Sequence, residues 1–322
     1  MYQWIPGNGP SQQAIERIRS NALKPAEPMG EAWFMGETRR MFDELVPPNA
    51  VKELDLLEIN TVLFEISAGT NCFGHFPEWD EWFKYMLPDL IERAGETLWF
   101  ENNLFQSVVT AFMGVYWGGV EEQYAGFRED VLASLSVTMM DKMFWSGDPD
   151  SQTPGFLDLR KDGRGELKLF WNAGESDPSV SASIFFCLKY LHAEEVPAWV
   201  DSLLAIQDPL WQGNLMVWFL GAFDLLSRST ILPHEIEKSN PRIEWDHSHL
   251  LGSADNGSGF NDNSRFLPEE NVRRFFSSMK AYYTEEKILD LAEVFSRTEH
   301  LAISTYNVPE ILDAKLFGVP RR

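Results

Sequence analysis

The sequence predicts an all-α fold of stacked antiparallel helix pairs, irregular and solenoid-like, with one small β-hairpin inserted near residues 156–170. Apolar residues recur at intervals of three and four along most of the chain, which is the spacing of one helix face. Short segments bounded by proline favour helices that pack mainly on their sequence neighbours. No segment has the composition of a linker, so we expect a single domain over residues 1–322.

The composition predicts a large packed core. Of the 322 residues, 44% are hydrophobic and 13% are aromatic, with 12 Trp and 23 Phe. Aromatic side chains bury ~150–250 Å² each, so many of them must lie inside the protein. A disordered acidic chain would lack these residues.

Prolines and apolar stripes divide the first half of the chain into helices. Pro77 suits the first position of a helix, and Pro88 is expected to break or kink that helix. Residues 102–120 carry no charge but include several polar residues and glycines, which favours a core helix over a membrane span. The expected helices cover residues 11–23, 30–46, 50–67, 77–88, 100–117 and 131–144.

The helix over 50–67 carries a prediction about which residues face the core. The expected inward residues are Leu54, Leu57, Val62 and Phe64, and the expected outward residues are Asp55, Glu58 and Glu65.

The hairpin is predicted from strict alternation. Residues 156–170 alternate apolar and polar residues on both sides of Asp162-Gly163, which is a two-residue hairpin connection. A two-stranded ribbon is only marginally stable alone, so it should lie on the helices. The residues expected to face each other are Leu157 and Leu159 on one strand and Leu167 and Leu169 on the other.

A weak internal similarity links residues 77–117 with residues 197–226. Trp, Leu and Gly recur in the same order, but the offset falls from 120 to 107 residues, so gaps are required. Stacked helix pairs would produce this similarity, and so would coincidence in helices rich in Trp and Leu. The helices expected in the second half cover residues 178–192, 197–207, 213–228, 268–281, 284–297 and a short segment after Pro309.

Charge supplies the leading hypothesis about function. The net charge is −22, and residues 41–127 hold fifteen acidic but only three basic residues, whereas residues 271–322 are nearly neutral. Nucleic acids and anionic membranes are bound through clustered Lys and Arg, so neither is an expected partner. We expect a non-enzymatic interaction protein whose acidic face, about 41–127, binds a basic protein, as immunity proteins and inhibitors do. Acidity that serves only solubility is the simpler alternative.

A metal-dependent enzyme is the second hypothesis. Imidazole and carboxylate ligands suit a divalent transition metal such as zinc, manganese or ferrous iron, which would serve a hydrolase or an oxygenase. On an extended segment, two histidines separated by one residue point the same way and can share a metal ion. A surface turn with capping histidines is the alternative. The candidate ligands are Glu244, Asp246, His247 and His249.

A Trp-rich helical pocket for a small molecule is the third hypothesis, with ordinary core packing as its alternative. The candidate residues are Trp79, Trp82, Trp99, Trp117, Trp211 and Trp218.

Other features are less specific. The two cysteines, Cys72 and Cys187, form no CxxC pair, and Cys187 is expected to be a buried free thiol. Residues 240–267 are an irregular stretch in which a loop or lid is expected rather than a calcium site.

The sequence begins without a signal-peptide pattern, so we expect a cytoplasmic protein. Asp224 is expected at the solvent edge of its helix.

Overall fold

The structure is a computed structural model, and helices account for most of the residues that it describes. The predicted all-α fold with a small β-hairpin is therefore confirmed. The described residues are 3–33, 40–96, 104–120, 122–142, 158–161, 167–170, 178–228, 230–239, 243–251, 266–298 and 307–318.

The chain forms two compact units, and each is built from separate stretches of sequence. The N-terminal unit comprises Pro10–Thr138 and Asp246–Ser264, and the C-terminal unit comprises Met1–Gly9, Met139–Trp245 and Arg265–Arg322. The two similar segments noted in the sequence lie in different units. The expectation of a single domain stays a prediction.

The N-terminal unit contains six helices among its described residues. This unit also contains shorter helical segments. They are the 3₁₀ helices Asp43–Leu45 and Ser248–Leu251 and the π-helical turn Leu132–Ser136, which follows the last α-helix. The elements are α1 (Gln12–Asn21), β1 (Met29–Gly30), β2 (Arg40–Phe42), α2 (Ala50–Glu53), α3 (Leu56–Phe73), α4 (Pro77–Glu96), α5 (Leu104–Val115) and α6 (Phe127–Val131).

Helix α5 forms the centre of the N-terminal unit. Every residue from Leu104 to Val115 is buried, and α5 packs against both α3 and α4. Helix α1 lies against α4 and α6. The prediction that the uncharged segment 102–120 forms a core helix therefore holds over residues 104–115.

One local prediction in this unit is wrong. The stretch 30–46 was expected to be a helix, but Gly30 and residues Arg40–Phe42 belong to the antiparallel pair β1–β2 instead. The Nε1–H of Trp79 donates to the carbonyl oxygen of Gly30 at 2.9 Å, so a partner 49 residues away holds this backbone extended. Pro88 does not break its helix, since α4 continues through it to Glu96, and a kink at Pro88 stays a prediction.

The inward face of α3 also differs from the prediction. Leu57 is 75% exposed and Phe64 is 39% exposed, whereas Glu65 is only 7% exposed. The carboxylate of Glu65 accepts a hydrogen bond from the backbone N–H of Ala32 at 3.0 Å, and this partner satisfies a charge that would otherwise be excluded from the core. The buried hydrophobic residues of α3 before Gly69 are Ile59, Val62, Leu63, Ile66 and Ala68.

Gly69 of α3 is required by a close approach. A Cβ atom at this position would lie 2.6 Å from the ring of Trp79 and 2.9 Å from Cβ of Ala32. A larger residue would push α3 away from α4 and from the segment that follows β1.

The C-terminal unit contains the hairpin and six further α-helices among its described residues. Helix α10 contacts α7 and α8, and α12 contacts α9 and α11. The elements are β3 (Asp158–Lys161), β4 (Leu167–Phe170), α7 (Pro178–Tyr190), α8 (Val196–Leu204), α9 (Pro209–Leu226), α10 (Glu269–Tyr282), α11 (Glu285–Arg297) and α12 (Val308–Phe317).

The hairpin has the predicted antiparallel pairing. Leu159 lies opposite Leu169, while Leu167 lies opposite Lys161. Leu157 and the connection around Asp162-Gly163 fall outside the described residues.

Aromatic rings fill the core of the C-terminal unit. Phe185 stacks on Trp245 with ring centroids 5.7 Å apart, and it also contacts Trp218 and Phe266. Cys187, on the same helix, is buried as predicted, and burial raises the pKa of its thiol well above the ordinary value.

Asp224 lies at the surface of α9, as expected. Its side chain is 67% exposed, and its carboxylate accepts a hydrogen bond from the Lys315 ammonium at 2.7 Å. This pair joins α9 to α12 within the C-terminal unit.

Among the helices that the structure describes, none is both long enough and apolar enough to cross a lipid bilayer.

Candidate functional site

The segment predicted to bind metal divides at the boundary between the two units. Glu244 falls in the C-terminal unit, and the other three candidate ligands fall in the N-terminal unit. Asp246 and His249 are exposed, whereas His247 is half-buried. The backbone N–H of Asp246 donates to Oε1 of Gln106 at 3.0 Å, which ties this segment to α5.

The two histidines of this segment have different surroundings. The ring of His247 meets the ring of Phe64 edge to face, with centroids 6.4 Å apart. Burial lowers the pKa of His247, so its imidazole is neutral at neutral pH. Nδ1 of His249 lies 2.9 Å from the backbone oxygen of Asp246, a local contact within one turn.

The hollow beside His247 has a volume of only about 10 Å³. Leu63, Ser67, Ser107 and Thr110 line it from α3 and α5. A space of this size is far below the ~300 Å³ of ordinary ligand pockets.

The described residues contain no group of three His, Cys, Asp or Glu side chains arranged to hold a metal ion. The four candidates are therefore not brought together as one ligand set there, and the metal site stays a prediction.

The acidic face predicted over 41–127 separates into groups with different surroundings. One group, which we call the acidic surface, consists of Asp43, Glu44, Glu53, Asp55 and Glu58, all of which are exposed.

The fold explains why these carboxylates face outward. The apolar residues of this segment line one small hollow, so the acidic residues interspersed with them point away from it. The lining residues from this segment are Leu45, Val51, Leu54 and Ile59. Leu57 is the most exposed large apolar residue of this segment. The segment that carries the acidic surface therefore also exposes a leucine.

Two members of the acidic surface also form the N-terminal cap of α3. Oδ1 of Asp55 accepts from the backbone N–H of Glu58 at 2.8 Å, and Oε2 of Glu58 accepts from the N–H of Asp55 at 2.9 Å. Such a capping box fixes both side chains at the start of the helix. Asp43, Glu44 and Glu53 have no ion pair or side-chain hydrogen bond with any other residue that the structure describes.

A second group, which we call the paired cluster, consists of Asp89 and Glu92 of α4 with Arg19 of α1 and Lys52 of α2. Nη2 of Arg19 lies 3.0 Å from Asp89 and 2.7 Å from Glu92, and Nζ of Lys52 lies 3.5 Å from Asp89. Burial acts to raise the pKa of Glu92, but hydrogen bonds from Gln12 and Arg19 outweigh it, so the pKa is lowered. These carboxylates hold three helices together.

An open cleft of about 410 Å³ lies between the start of α4 and the end of α5. Nδ1 of His75 lies 3.5 Å from Oδ1 of Asp80 at one wall of this cleft. Lys84 is one helical turn beyond Asp80 and lies on the same face of α4. The opposite wall consists of Val115, Tyr116, Gly118, Gly119 and Val120.

No sequence motif indicated this cleft. Cys72, three residues before His75, is an exposed free thiol, and Asp80 is the carboxylate that lies beside His75. A five-residue interval across the start of a helix is not a recognised spacing. A histidine just before a proline-initiated helix, followed by Asp and Lys four residues apart, was the one indication available.

The tryptophans of the proposed Trp-rich pocket are mainly core residues. Trp79 and Trp82 are 1% exposed, and their indole N–H groups donate to the backbone oxygens of Gly30 and Glu27. In the C-terminal unit, Trp218 is fully buried and donates to Oγ of Ser181 at 2.9 Å. Trp99 falls outside the described residues, and the ligand-binding role stays a prediction.

Comparisons with known proteins add no relative: no protein-family model matches the chain, and no significant match is found among curated proteins or solved structures.

Proposed function

We propose that this protein is a non-enzymatic interaction protein that binds a basic protein through the acidic surface. The observation that carries the proposal is the exposure of five carboxylates between Asp43 and Glu58, on a segment that also exposes Leu57 at 75%. Blocking a toxin or another enzyme, as an immunity protein or inhibitor does, is one form of this function.

The charges of the acidic surface support binding rather than stability. Charged residues that stabilise a fold usually do so through partners, as the carboxylates of the paired cluster do. Asp43, Glu44 and Glu53 form no ion pair with any basic residue among those the structure describes. Unneutralised carboxylates on one segment attract a basic partner and raise the rate of association.

The apolar residues of the same segment support a specific contact. Protein interfaces commonly have an apolar centre within a polar rim, and the centre supplies most of the binding energy. Leu57 lies between Asp55 and Glu58 in sequence and is the exposed apolar side chain available for such a centre. Met41 adds a second exposed apolar side chain, 46% exposed, close to Asp43.

The test is capture of partners by three forms of the immobilised protein from a lysate of its own organism. The first form is wild type, the second is Asp43→Lys/Glu44→Lys/Glu53→Lys, and the third is the control Glu286→Lys/Asp290→Lys. The control residues are exposed acids of α11 in the C-terminal unit. We expect one or more basic proteins to be captured by wild type and the control but lost by the triple variant.

The captured protein is then purified and titrated by calorimetry at two salt concentrations. At roughly 1 M salt the screening length falls to about 3 Å, so affinity should drop steeply compared with low salt. Partners that are acidic, or that bind the triple variant as well as wild type, would refute the proposal.

A further inference from the structure

We propose that the cleft between α4 and α5 binds a small organic anion, with Lys84 as the group that holds its negative charge. This inference rests on the cleft and its lining residues, and it does not depend on the acidic surface.

The cleft has the size of a small-molecule site. Its volume of about 410 Å³ falls within the ~300–1,000 Å³ of typical ligand pockets. Both polar and apolar groups line it, since the wall that carries His75, Asp80 and Lys84 faces a wall that carries Val115 and Val120. Such a space admits a ligand with a charged group and a compact apolar body.

Lys84 is one of only three basic residues within the acidic stretch 41–127. It has no ion pair or hydrogen bond with any other residue in the described part of the chain, and it is half-buried in the wall of the cleft. The basic residues nearest to it in sequence do have partners within the fold. Lys52 lies near Asp89, and Arg93 donates to the carbonyl oxygens of Val51 and Leu54. An ammonium group in this position is available to an anionic ligand.

His75 and Asp80 define the polar end of the same wall. The imidazole of His75 lies beside the carboxylate of Asp80, which orients the ring. An N–H of this ring is a second donor at the same wall for an anion held by Lys84. Asp80 also repels an anion from its own end of the wall, so the ligand's charge is directed toward Lys84.

The facing loop leaves the cleft open. A Cβ atom placed at Gly118 or Gly119 meets no heavy atom within 4 Å, so the main chain borders free space. Gly119 has a φ of +136°, a conformation that favours glycine. A large side chain at Gly118 would therefore enter space beside the cleft without displacing the core.

Four probes that share one phenyl body test the proposal by calorimetry at constant ionic strength. Benzoate supplies a carboxylate, phenyl phosphate supplies a phosphate, benzyl alcohol is neutral and benzylamine is a cation. We expect one or both anions to bind, and the better of the two identifies the charged group of the ligand. Equal or better binding of benzyl alcohol or benzylamine would overturn the proposal.

Variants locate the binding. Lys84→Met should weaken anion binding by about tenfold or more, because one charge-assisted hydrogen bond is lost. Gly118→Phe should weaken it by narrowing the cleft with no change of charge. Lys238→Met, at an exposed lysine of the C-terminal unit, is the matched control and should bind as wild type does. Unchanged affinity in both Lys84→Met and Gly118→Phe would refute the site.

A labelling experiment on the wild-type chain avoids any dependence on how the variants fold. An amine-reactive reagent modifies exposed lysines, and mass spectrometry follows each site. The bound anion should slow modification of Lys84 and leave Lys238 unaffected. Equal rates at Lys84 with and without a saturating anion would contradict the assignment.

Discussion

The acidic surface and the paired cluster come from the same acidic stretch, residues 41–127, but their carboxylates meet different surroundings. Asp89 and Glu92 face Arg19 and lie between helices α1 and α4. The carboxylates of the acidic surface are exposed instead. Both groups lie within one acidic stretch of the sequence, so the distinction depends on which helix packs against each carboxylate.

The difference separates charge that stabilises from charge that is free to bind. A half-buried ion pair that joins two helices contributes to folding, whereas an exposed carboxylate without a partner contributes little or nothing. Repulsion among several such carboxylates destabilises the folded state slightly. The substitutions below test this separation, beginning with the largest expected effect.

Removal of Arg19 should cost the most stability. Arg19→Met keeps the length of the side chain but leaves Asp89 and Glu92 with Lys52 as their cation, whose Nζ lies 3.5 Å and 3.9 Å away, and Glu92 with the Gln12 hydrogen bond. We expect a loss of about 1–2 kcal/mol, because half-buried carboxylates lose their main partner. Urea unfolding followed by circular dichroism measures this loss at pH 7.

The same variant has a predicted pH dependence. The pKa of Glu92 is lowered in the folded state, so its contribution is present above the ordinary glutamate pKa and is lost as pH falls through the folded pKa. The difference between wild type and Arg19→Met should therefore shrink at acidic pH. A difference that stays constant down to about pH 3 would show that lost packing, and not lost charge pairing, is the cause.

Glu65 sharpens the comparison, because it is buried and forms no ion pair with any basic residue that the structure describes. Burial raises its pKa, and the hydrogen bond from Ala32 only partly opposes this effect. A raised folded-state pKa means that stability decreases as pH rises from the unfolded value through the folded one. Glu65→Gln removes this cost and should stabilise the protein by on the order of 1 kcal/mol at pH 7.

Two comparisons control the Glu65 experiment. The advantage of Glu65→Gln should disappear below the ordinary glutamate pKa, because the wild-type side chain is then neutral in both the folded and unfolded states. Glu58→Gln, on the exposed side of the same helix, should give no comparable gain. A loss of stability in Glu65→Gln at pH 7 would mean that the ionised carboxylate is favoured in the fold.

Local sequence patterns predicted much of this fold and little of its functional surface. Helix α5 was predictable because its apolar residues recur on a helical spacing with no charge present, and the hairpin because alternation continues on both sides of Asp162-Gly163. The face of α3 was not predictable. Glu65 is buried because Ala32, 33 residues earlier, supplies a donor, and no local pattern records that contact.

The cleft and the paired cluster were hidden for the same reason. His75 and Lys84 gain significance only when Gly118 and Gly119 lie opposite them, and Asp89 differs from Glu53 only because Arg19 reaches it. Net charge by region located the acidic stretch correctly. Net charge does not show which carboxylates of the stretch are neutralised, because long-range packing determines their partners.

Neutralising the acidic surface should have the smallest effect on stability, and this small effect separates the two groups most directly. Asp43→Asn/Glu44→Gln/Glu53→Gln removes three exposed charges and leaves the capping box of Asp55 and Glu58 intact. We expect a change within about 0.5 kcal/mol, and a slight gain at low salt where repulsion is least screened. Urea unfolding at about 20 mM and 500 mM salt measures both quantities, with Arg19→Met in parallel. If the triple variant lost as much stability as Arg19→Met, these carboxylates would be part of the folding energy, and their exposure would no longer support a role in binding.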